Sequence, residues 1–301
     1  MTISIYFNMH KMILIYLLTT TYIFSNINAI VSIVPQKVFL EAIGGDKVNI
    51  SLMVKPGSSP HAYEPKASQM VSIAKASLYF SIGVEFEDVW LAKFSSLNGN
   101  MKIIDTTKNI EKIPMTAHSH HQHAHNGHQC KVNHTTDDTV SSLDPHIWTT
   151  PKNVRIIAQN MFDALVKYDE KNREYYKNNL NDFLEHLKQT DHTITSLLRT
   201  LKKERSFMVF HPSWGYFAKE YHLEQIAVEV EGKSPKPREL VQLIYKARDK
   251  GVKAIFTQPE FSDTSAKIIA SELNIPVVKI TPMATNWSEN LIQMVKVITG
   301  K

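Results

Sequence analysis

Histidine is the residue type in this sequence with the clearest potential for chemistry. The 301-residue chain contains 14 His, and half of them lie between His118 and His134. Imidazole nitrogen is a good ligand for borderline-soft divalent ions such as Zn²⁺, and short His-rich tracts are typical of metal binding. The single cysteine, Cys130, excludes an intramolecular disulfide framework and a zinc finger built from cysteines. The composition therefore points first to a metal ion.

Three histidines outside the tract share a local sequence. His61, His146 and His211 each adjoin a proline, which fixes the local backbone and reduces the entropy lost when a ligand is held. His61 follows a strand-like segment that ends at Val54, and His211 follows a predicted strand over 206–210. Because α/β sheets bind ligands in loops at the carboxyl ends of their strands, we predict that these three imidazoles share one ion. Three other histidines lie on or beside predicted helices and are interpreted as structural or solvated: His186, His192 and His222.

Alternating strands and helices must position these side chains. Strand-like and helix-like segments alternate over about 30–105 and again over 206–280, as in parallel sheets covered by helices. Two helical segments lie between them, and the second, over 170–203, would be about 50 Å long at 1.5 Å per residue. A coiled-coil seam is the alternative for its apolar stripe, but Thr190 interrupts that stripe. We predict an α/β fold of two lobes, each a parallel sheet covered by helices, joined by a long linking helix.

The predicted organisation has four parts. Lys11 precedes an apolar run over 12–24 that is too short to span a membrane, and small residues end at Ala29. Residues 1–29 are therefore predicted to be a secretory signal peptide, so that the mature protein is soluble and exported. The remaining parts are an N-terminal lobe over 30–168 that includes a His-rich loop at 116–135, a linking helix over 169–204, and a C-terminal lobe over 205–301.

Two other classes of function are less well supported. Lys and Arg number 34 against 29 Asp and Glu, but no basic stripe interleaved with aromatic residues indicates a nucleic-acid partner. Three His with an open position also hold catalytic zinc, so an exported zinc metalloenzyme is an alternative. The chain has no His-Glu-x-x-His, Gly-x-Ser-x-Gly or Gly-x-Gly-x-x-Gly motif, and Glu64 is the only candidate base near the histidines. We therefore expect a binding protein rather than an enzyme.

Residues 58–65, 144–148 and 211–218 resemble the metal-site motifs of zinc ABC-transporter solute-binding proteins of the ZnuA type. Further similar stretches follow the same order along the mature chain: 83–90, 229–233, 237–240 and 258–262. This resemblance implies two lobes joined by a long helix, with one Zn²⁺ in the cleft between them. It also implies that His61, His146 and His211 are the ligands. The expected protein is a periplasmic monomer that delivers its ion to an inner-membrane ABC permease.

Two positions bear on which metal is bound and how. In manganese-binding relatives a Glu commonly stands where this chain has His211, which favours zinc over a manganese- or iron-binding relative of the same family. Many relatives have an Asp where this chain has Thr281, and in some of them it is the fourth ligand. The neutral hydroxyl of Thr281 is a poor substitute for a carboxylate. Water is therefore the preferred fourth ligand, with Glu64 and Glu260 as alternatives.

The His-rich tract lies in a connection of roughly 35–40 residues, beyond ordinary loop lengths. Its imidazoles are spaced irregularly, so they do not encode one tetrahedral site. We expect a flexible, weak collector of several ions, which Cys130 could join as a thiolate. The predicted auxiliary ligands are His118, His120, His121, His123, His125, His128 and His134.

Overall fold

The computed structural model describes residues 26–115, 143–201, 205–229 and 233–301. Most of the predicted signal peptide and the whole His-rich tract lie outside these residues. Within them the chain forms two α/β lobes connected by helices, in agreement with the predicted fold class. No helix in the described part of the chain is both long enough and apolar enough to cross a bilayer.

The N-terminal lobe is a four-stranded parallel sheet with the order β2-β1-β3-β4. Its strands are β1 (Ile27–Val31), β2 (Val48–Leu52), β3 (Leu78–Ser81) and β4 (Lys102–Asp105). The helices between consecutive strands are α1 (Val34–Gly44), α2 (Ala67–Lys75) and α3 (Glu85–Leu97). Every residue of β3 is buried, as expected for an inner strand with helices on both faces.

Strand β1 begins earlier than the sequence predicts. Ile27, Asn28 and Ala29 pair with β2, with Ile27 opposite Val48. These three residues were assigned to the signal peptide, yet they form the greater part of the five-residue strand. The folded lobe therefore includes residues on the N-terminal side of the predicted boundary at residue 30.

Two helices connect the lobes, α4 (Pro151–Tyr168) and α5 (Arg173–Leu198). Thr150 caps α4, because its Oγ1 accepts a hydrogen bond of 3.2 Å from the backbone N–H of Asn153, and Pro151 occupies the first turn. Helix α5 spans about 39 Å at 1.5 Å per residue. It is shorter than predicted because residues 170–172 form a 3₁₀ turn and because the helix ends at Leu198.

The apolar stripe of α5 is covered within the described chain by α4, by the C-terminal helix Trp287–Thr299 and by α1. Its buried residues follow spacings of three and four: Tyr176, Leu180, Phe183, Leu187, Thr190, Ile194 and Leu198. Thr190 fits in this buried stripe because its hydroxyl donates a hydrogen bond of 3.0 Å to the carbonyl oxygen of His186. The stripe therefore belongs to the core of this chain, and a coiled-coil partner is not needed to bury it.

The C-terminal lobe repeats the topology of the first, with the strand order β6-β5-β7-β8 and all strands parallel. Its strands are β5 (Ser206–Val209), β6 (Glu224–Ala227), β7 (Ile255–Thr257) and β8 (Val277–Lys279). The helices between them are α6 (Gly215–Glu220), α7 (Pro237–Asp249) and α8 (Thr264–Leu273).

A last helix, α9 (Trp287–Thr299), was not predicted. It packs against α5 rather than on the C-terminal sheet alone. The Trp287 ring meets Phe39 of α1 edge to face, with centroids 5.4 Å apart. The indole N–H of Trp287 also donates a hydrogen bond of 2.9 Å to the carbonyl oxygen of Trp148. Helix α9 thus links the C-terminal lobe to the N-terminal lobe through side-chain packing and a hydrogen bond.

Candidate metal centre

The carboxyl ends of the strands in both lobes meet at the cleft, and three histidines converge there. His61 lies in the loop after β2, His146 in the connection from β4 to α4, and His211 two residues after β5. One ring nitrogen from each lies within 4.8 Å of the other two. The Nε2 atoms of His61 and His211 are 3.2 Å apart. The structure therefore brings together the three histidines that the sequence singled out.

Each of the three imidazoles is hydrogen-bonded through its Nδ1 atom to a carboxylate. His61 Nδ1 is 2.8 Å from Glu85 Oε1, His146 Nδ1 is 2.8 Å from Asp144 Oδ1, and His211 Nδ1 is 2.7 Å from Glu229 Oε1. An ionised carboxylate can only accept a hydrogen bond, so the proton of each neutral ring is on Nδ1. Each Nε2 then presents its lone pair away from the carboxylate. This carboxylate–histidine pairing is the arrangement that orients histidines toward a metal.

The spacing of the nitrogen atoms suits a small ion. Two neutral imidazoles whose lone pairs face each other at 3.2 Å repel, unless a cation lies between them. Tetrahedral Zn²⁺ with Zn–N bonds of 2.0–2.1 Å separates its nitrogen ligands by about 3.3–3.4 Å. The observed Nε2 separation between His61 and His211 is close to that value. The three imidazoles are therefore chemically suited to zinc, and the separation between His61 and His211 also suits its geometry.

The charges around the site also favour a divalent cation. Asp144 and Glu229 are almost completely buried, with 1% and 6% of their surfaces exposed. Burying an ionised group is costly unless an opposite charge compensates for it. Three carboxylates behind three neutral rings give a negative environment, which the charge of a bound Zn²⁺ would offset. The negative charge at the site is thus best compensated when a divalent cation is bound.

The histidines differ in how readily they take up a proton. The hydrogen bond that His61 donates to Glu85 raises the pKa of His61, even though partial burial of the ring opposes this. Burial lowers the pKa of His211, and the hydrogen bond with Glu229 only partly offsets that effect. Burial is the largest single effect on Glu85 and acts to raise its pKa, but the hydrogen bond and the charge interaction with His61, together with smaller effects, lower the pKa overall. A proton therefore competes with a metal more strongly at His61 than at His211.

The histidines line a small cavity between the lobes, of about 20 Å³. Its walls are formed by Ser59, Pro60, His61, His146, Trp148, His211, Ser213, Gln258, Glu260, Phe261, Pro282 and Met283. This volume accommodates one water molecule or one ion and is too small for an organic solute. A larger groove of about 360 Å³ lies between α1, α5 and α9, but in the described residues no cluster of three metal-ligating groups lies there.

The two glutamates predicted as alternative fourth ligands lie in different places. Glu260 lines the cavity and is half-buried, and burial raises its pKa. Glu64 is exposed and is not part of the cavity wall. Neither belongs to the group of ligand atoms that lie within 4.8 Å of one another. Thr281 is occupied within its own loop, because its Oγ1 accepts a hydrogen bond of 3.1 Å from the backbone N–H of Met283.

The histidines interpreted as structural or solvated lie away from the cluster. His186, His192 and His222 are all exposed. His186 Nε2 is 2.8 Å from the hydroxyl of Ser288 at the start of α9. The seven histidines of the tract lie outside the described residues.

The three carboxylates that orient the rings were not predicted from the sequence. Asp144 stands two residues before His146, which was a usable signal. Glu85 is 24 residues from His61, and Glu229 is 18 residues from His211. These two pairs therefore form only when the sheets assemble. Glu229 follows β6, which is the neighbour of the strand that carries His211. Loops after adjacent parallel strands lie side by side, and that topology was the available clue.

We expect the Glu229→Gln substitution to weaken zinc binding by about 10–100-fold, the usual cost of losing an outer partner of a metal-bound histidine. The glutamine has nearly the same shape but removes the negative charge that strengthens His211 as a ligand. Affinity is measured by competition with a chromophoric chelator. Glu64→Gln is the matched control and is expected to bind zinc as tightly as the parent. Unchanged affinity in Glu229→Gln would contradict the role of this carboxylate, and weaker binding in Glu64→Gln would make that residue a ligand.

A family model described as "ZnuA: Zinc-uptake complex component A periplasmic" matches residues 30–300 of the chain. The match extends over both lobes and the helices between them. The described histidine cluster lies entirely within the matched residues.

Known proteins similar to the chain share its fold. A crystal structure of ZnuA superposes with a TM-score of 0.80 at 36% identity, covering 91% of this chain and 98% of that one. A Mn-bound periplasmic metal binding protein from Candidatus Liberibacter asiaticus has a TM-score of 0.74 at 20% identity, covers 90% of this chain and 98% of its own, and shows the fold alone. The zinc-binding protein AdcA of Streptococcus pyogenes serotype M3 is 25% identical over 267 residues, or 85% of this chain and 50% of AdcA. The chain thus spans about half the length of this relative. These similarities confirm the predicted two-lobed α/β fold.

Proposed function

Because the chain belongs to the ZnuA family of periplasmic zinc-uptake components, we propose that it captures one Zn²⁺ in the cleft between its lobes and delivers it to an ABC permease. The proposed ligands are His61, His146 and His211. The observation that carries the proposal is the convergence of these three rings from two lobes, each with a carboxylate behind it. The proposed fourth ligand is water, for which Glu260 is the alternative within the cavity wall.

The chain is not an enzyme. Its family is one of zinc-uptake components, and the relatives similar to it carry the names of metal-binding proteins. Family membership therefore excludes the alternative of an exported zinc metalloenzyme and confirms the prediction of a binding protein.

Zinc is the metal that the proposed ligand set favours. Imidazole suits zinc, whereas manganese prefers sites richer in carboxylate, and the affinity of a given site for Mn²⁺ is generally below that for Zn²⁺. The three carboxylates near the rings interact with Nδ1 atoms rather than joining the cluster of ligand atoms. The names of the relatives support the same choice, since AdcA is a zinc-binding protein. Because one structurally similar protein is Mn-bound, the selectivity for Zn²⁺ over Mn²⁺ is the property to be tested.

The proposed cellular role follows that of the family. We place the mature protein in the periplasm as a monomer, exported by an N-terminal signal peptide, with the metal ion and an inner-membrane permease as its partners. For β1 to stay whole, cleavage of the signal would have to fall before Ile27. We propose two lobes joined by the long helix as the functional units, with α9 fastening one lobe to the other.

The His-rich tract is proposed to collect ions weakly beside the cleft. The described residues that flank residues 116–142 are held together, because Pro114 and Leu143 form an antiparallel bridge and the N–H of Asp144 donates a hydrogen bond of 2.9 Å to the carbonyl oxygen of Ile113. These flanking residues thus lie close to His146 in the sequence and in the fold. A tract must lose chain entropy to gather its imidazoles, so each ion it holds should be bound more weakly than one in the preorganised cleft.

Deleting residues 118–134 is therefore expected to leave one tight zinc site and to remove additional weaker ions. The bridge between Pro114 and Leu143 lets the shortened loop close without disturbing the cleft. Calorimetric titration of the metal-free parent and of the deletion variant with Zn²⁺, and then with Mn²⁺, measures stoichiometry and selectivity together. Loss of the tight site on deletion would show that the tract supplies the primary ligands. Tighter binding of Mn²⁺ than of Zn²⁺ would contradict the proposed cargo.

A further inference from the structure

The segment that carries His211 also contacts the carboxylate behind His146. We propose that Gly215 and Tyr216 are positioning residues, which hold Asp144 in place and so let the C-terminal lobe determine how well His146 binds metal. This inference rests on the proposed function, since it requires that His146 is a zinc ligand. It adds residues that touch no metal and act through Asp144.

Tyr216 makes two hydrogen bonds across the boundary between the lobes. Its side chain is buried, and its hydroxyl donates a hydrogen bond of 3.0 Å to the carbonyl oxygen of Asp144. The Tyr216 hydroxyl oxygen in turn accepts a hydrogen bond of 3.2 Å from the backbone N–H of Ile113. Ile113 and Asp144 are also joined directly through their backbones. The Tyr216 side chain of the C-terminal lobe is therefore hydrogen-bonded to both Ile113 and Asp144, two residues of the connection that carries His146.

Gly215 lies directly against the carboxylate of Asp144. A Cβ atom placed on Gly215 would be 2.4 Å from Asp144 Oδ2, which is closer than two non-bonded atoms can approach. Asp144 Oδ2 has no hydrogen-bond partner among the described residues, and its residue is 1% exposed. Asp144 Oδ1 is bonded to His146 twice, through the backbone N–H at 2.9 Å and through Nδ1 at 2.8 Å. Contact with Gly215 thus fixes Oδ2 of Asp144, while Oδ1 orients the ring of His146.

The ion pairs in the same region cannot replace this contact. Lys219 lies 2.9 Å from Glu111, and Lys152 lies 3.6 Å from Glu220, but these pairs include largely exposed side chains. Exposed pairs contribute little and are screened by salt. The buried contacts of Gly215 and Tyr216 are therefore the specific link between the lobes at Asp144.

The consequence is coupling between two ligands in different lobes. Residues 211–216 provide one ligand directly and hold the carboxylate of a second. Any displacement of this segment away from Asp144 removes His211 from the ion and at the same time frees the ring of His146 to turn. Zinc affinity should then fall by more than the loss of one ligand alone.

Tyr216→Phe tests the inference with little change of shape. We expect zinc affinity to fall about tenfold, the lower end of the effect of outer partners, with faster dissociation of the ion. Tyr221→Phe is the matched control, because Tyr221 is also buried and its hydroxyl is bonded to Asp191 on α5, 2.7 Å away and remote from the cluster. Gly215→Ala should weaken binding further than Tyr216→Phe. Circular dichroism of each metal-free variant establishes that it is folded.

A double-mutant cycle separates positioning from a general structural effect. In a His146→Ala background, Tyr216→Phe should cause no further loss of affinity, whereas in a His61→Ala background it should keep its tenfold effect. Equal losses in both backgrounds, or a Tyr216→Phe variant that binds like Tyr221→Phe, would overturn the inference. If His146→Ala itself binds zinc as tightly as the parent, the proposed function fails instead, and the two failures are thereby distinguished.

Discussion

His146→Ala is expected to reduce zinc affinity on the order of 10³-fold, more than the 10–100-fold that loss of an outer partner costs. Alanine leaves a cavity that water can enter, and a water molecule is a weaker ligand for zinc than a neutral imidazole. The substitution also leaves the buried Asp144 carboxylate without the hydrogen bond that it accepts from the ring N–H of His146. The measurement is competition with a chelator at constant pH.

The controls for this substitution are on α5. His186→Ala and His192→Ala remove exposed imidazoles of the same chemistry away from the cleft, and both variants should bind zinc as the parent does. Urea unfolding of the metal-free His146→Ala protein separates lost affinity from lost stability. A His146→Ala protein that is folded and binds one zinc ion as tightly as the parent would exclude the three-histidine site.

Zinc affinity is expected to fall on the order of 10³-fold or more between pH 7.5 and pH 5, because each ligand must be neutral to bind. Below its pKa, each imidazole costs roughly a factor of ten in affinity for every pH unit. The pKa of His61 is raised by its hydrogen bond with Glu85, so protons compete with the metal at this ring from a higher pH than at His211. Burial lowers the pKa of His211, so this ring is protonated only at lower pH. The decline should therefore begin gently and become steeper as the pH falls.

The deletion variant that lacks residues 118–134 is the right protein for the pH titration, since it reports the cleft alone. Introducing His146→Ala into that variant should flatten the dependence, because two imidazoles then compete with protons instead of three. An affinity that stays constant from pH 7.5 to pH 5 would indicate ligation dominated by carboxylates.

The sequence was informative about the fold because strand and helix patterns alternate regularly within each lobe. It was less informative at the ends of the elements. Strand β1 begins at Ile27 because backbone pairing with β2 decides its start, and hydrophobicity near the predicted cleavage site does not report that pairing. Helix α9 was predictable in principle, since its buried residues Trp287, Leu291, Met294 and Ile298 follow spacings of three and four.

The site was predictable only in part. The prolines beside His61, His146 and His211 made these residues stand out from other histidines. The partners Glu85 and Glu229 depend on how the strands assemble into sheets, and the contact between Gly215 and Asp144 depends on how the lobes approach each other. These are properties of the tertiary structure, and no local pattern in the sequence encodes them.

The most direct test of the zinc site is diffraction from crystals of the zinc-loaded protein at the zinc absorption edge. We predict one strong anomalous peak in the cleft, about 2.0–2.1 Å from the Nε2 atoms of His61, His146 and His211. The Nδ1 atoms of these residues should remain on Glu85, Asp144 and Glu229. A protein that binds zinc with its peak elsewhere, or with fewer than these three histidines around the ion, would contradict the proposed site.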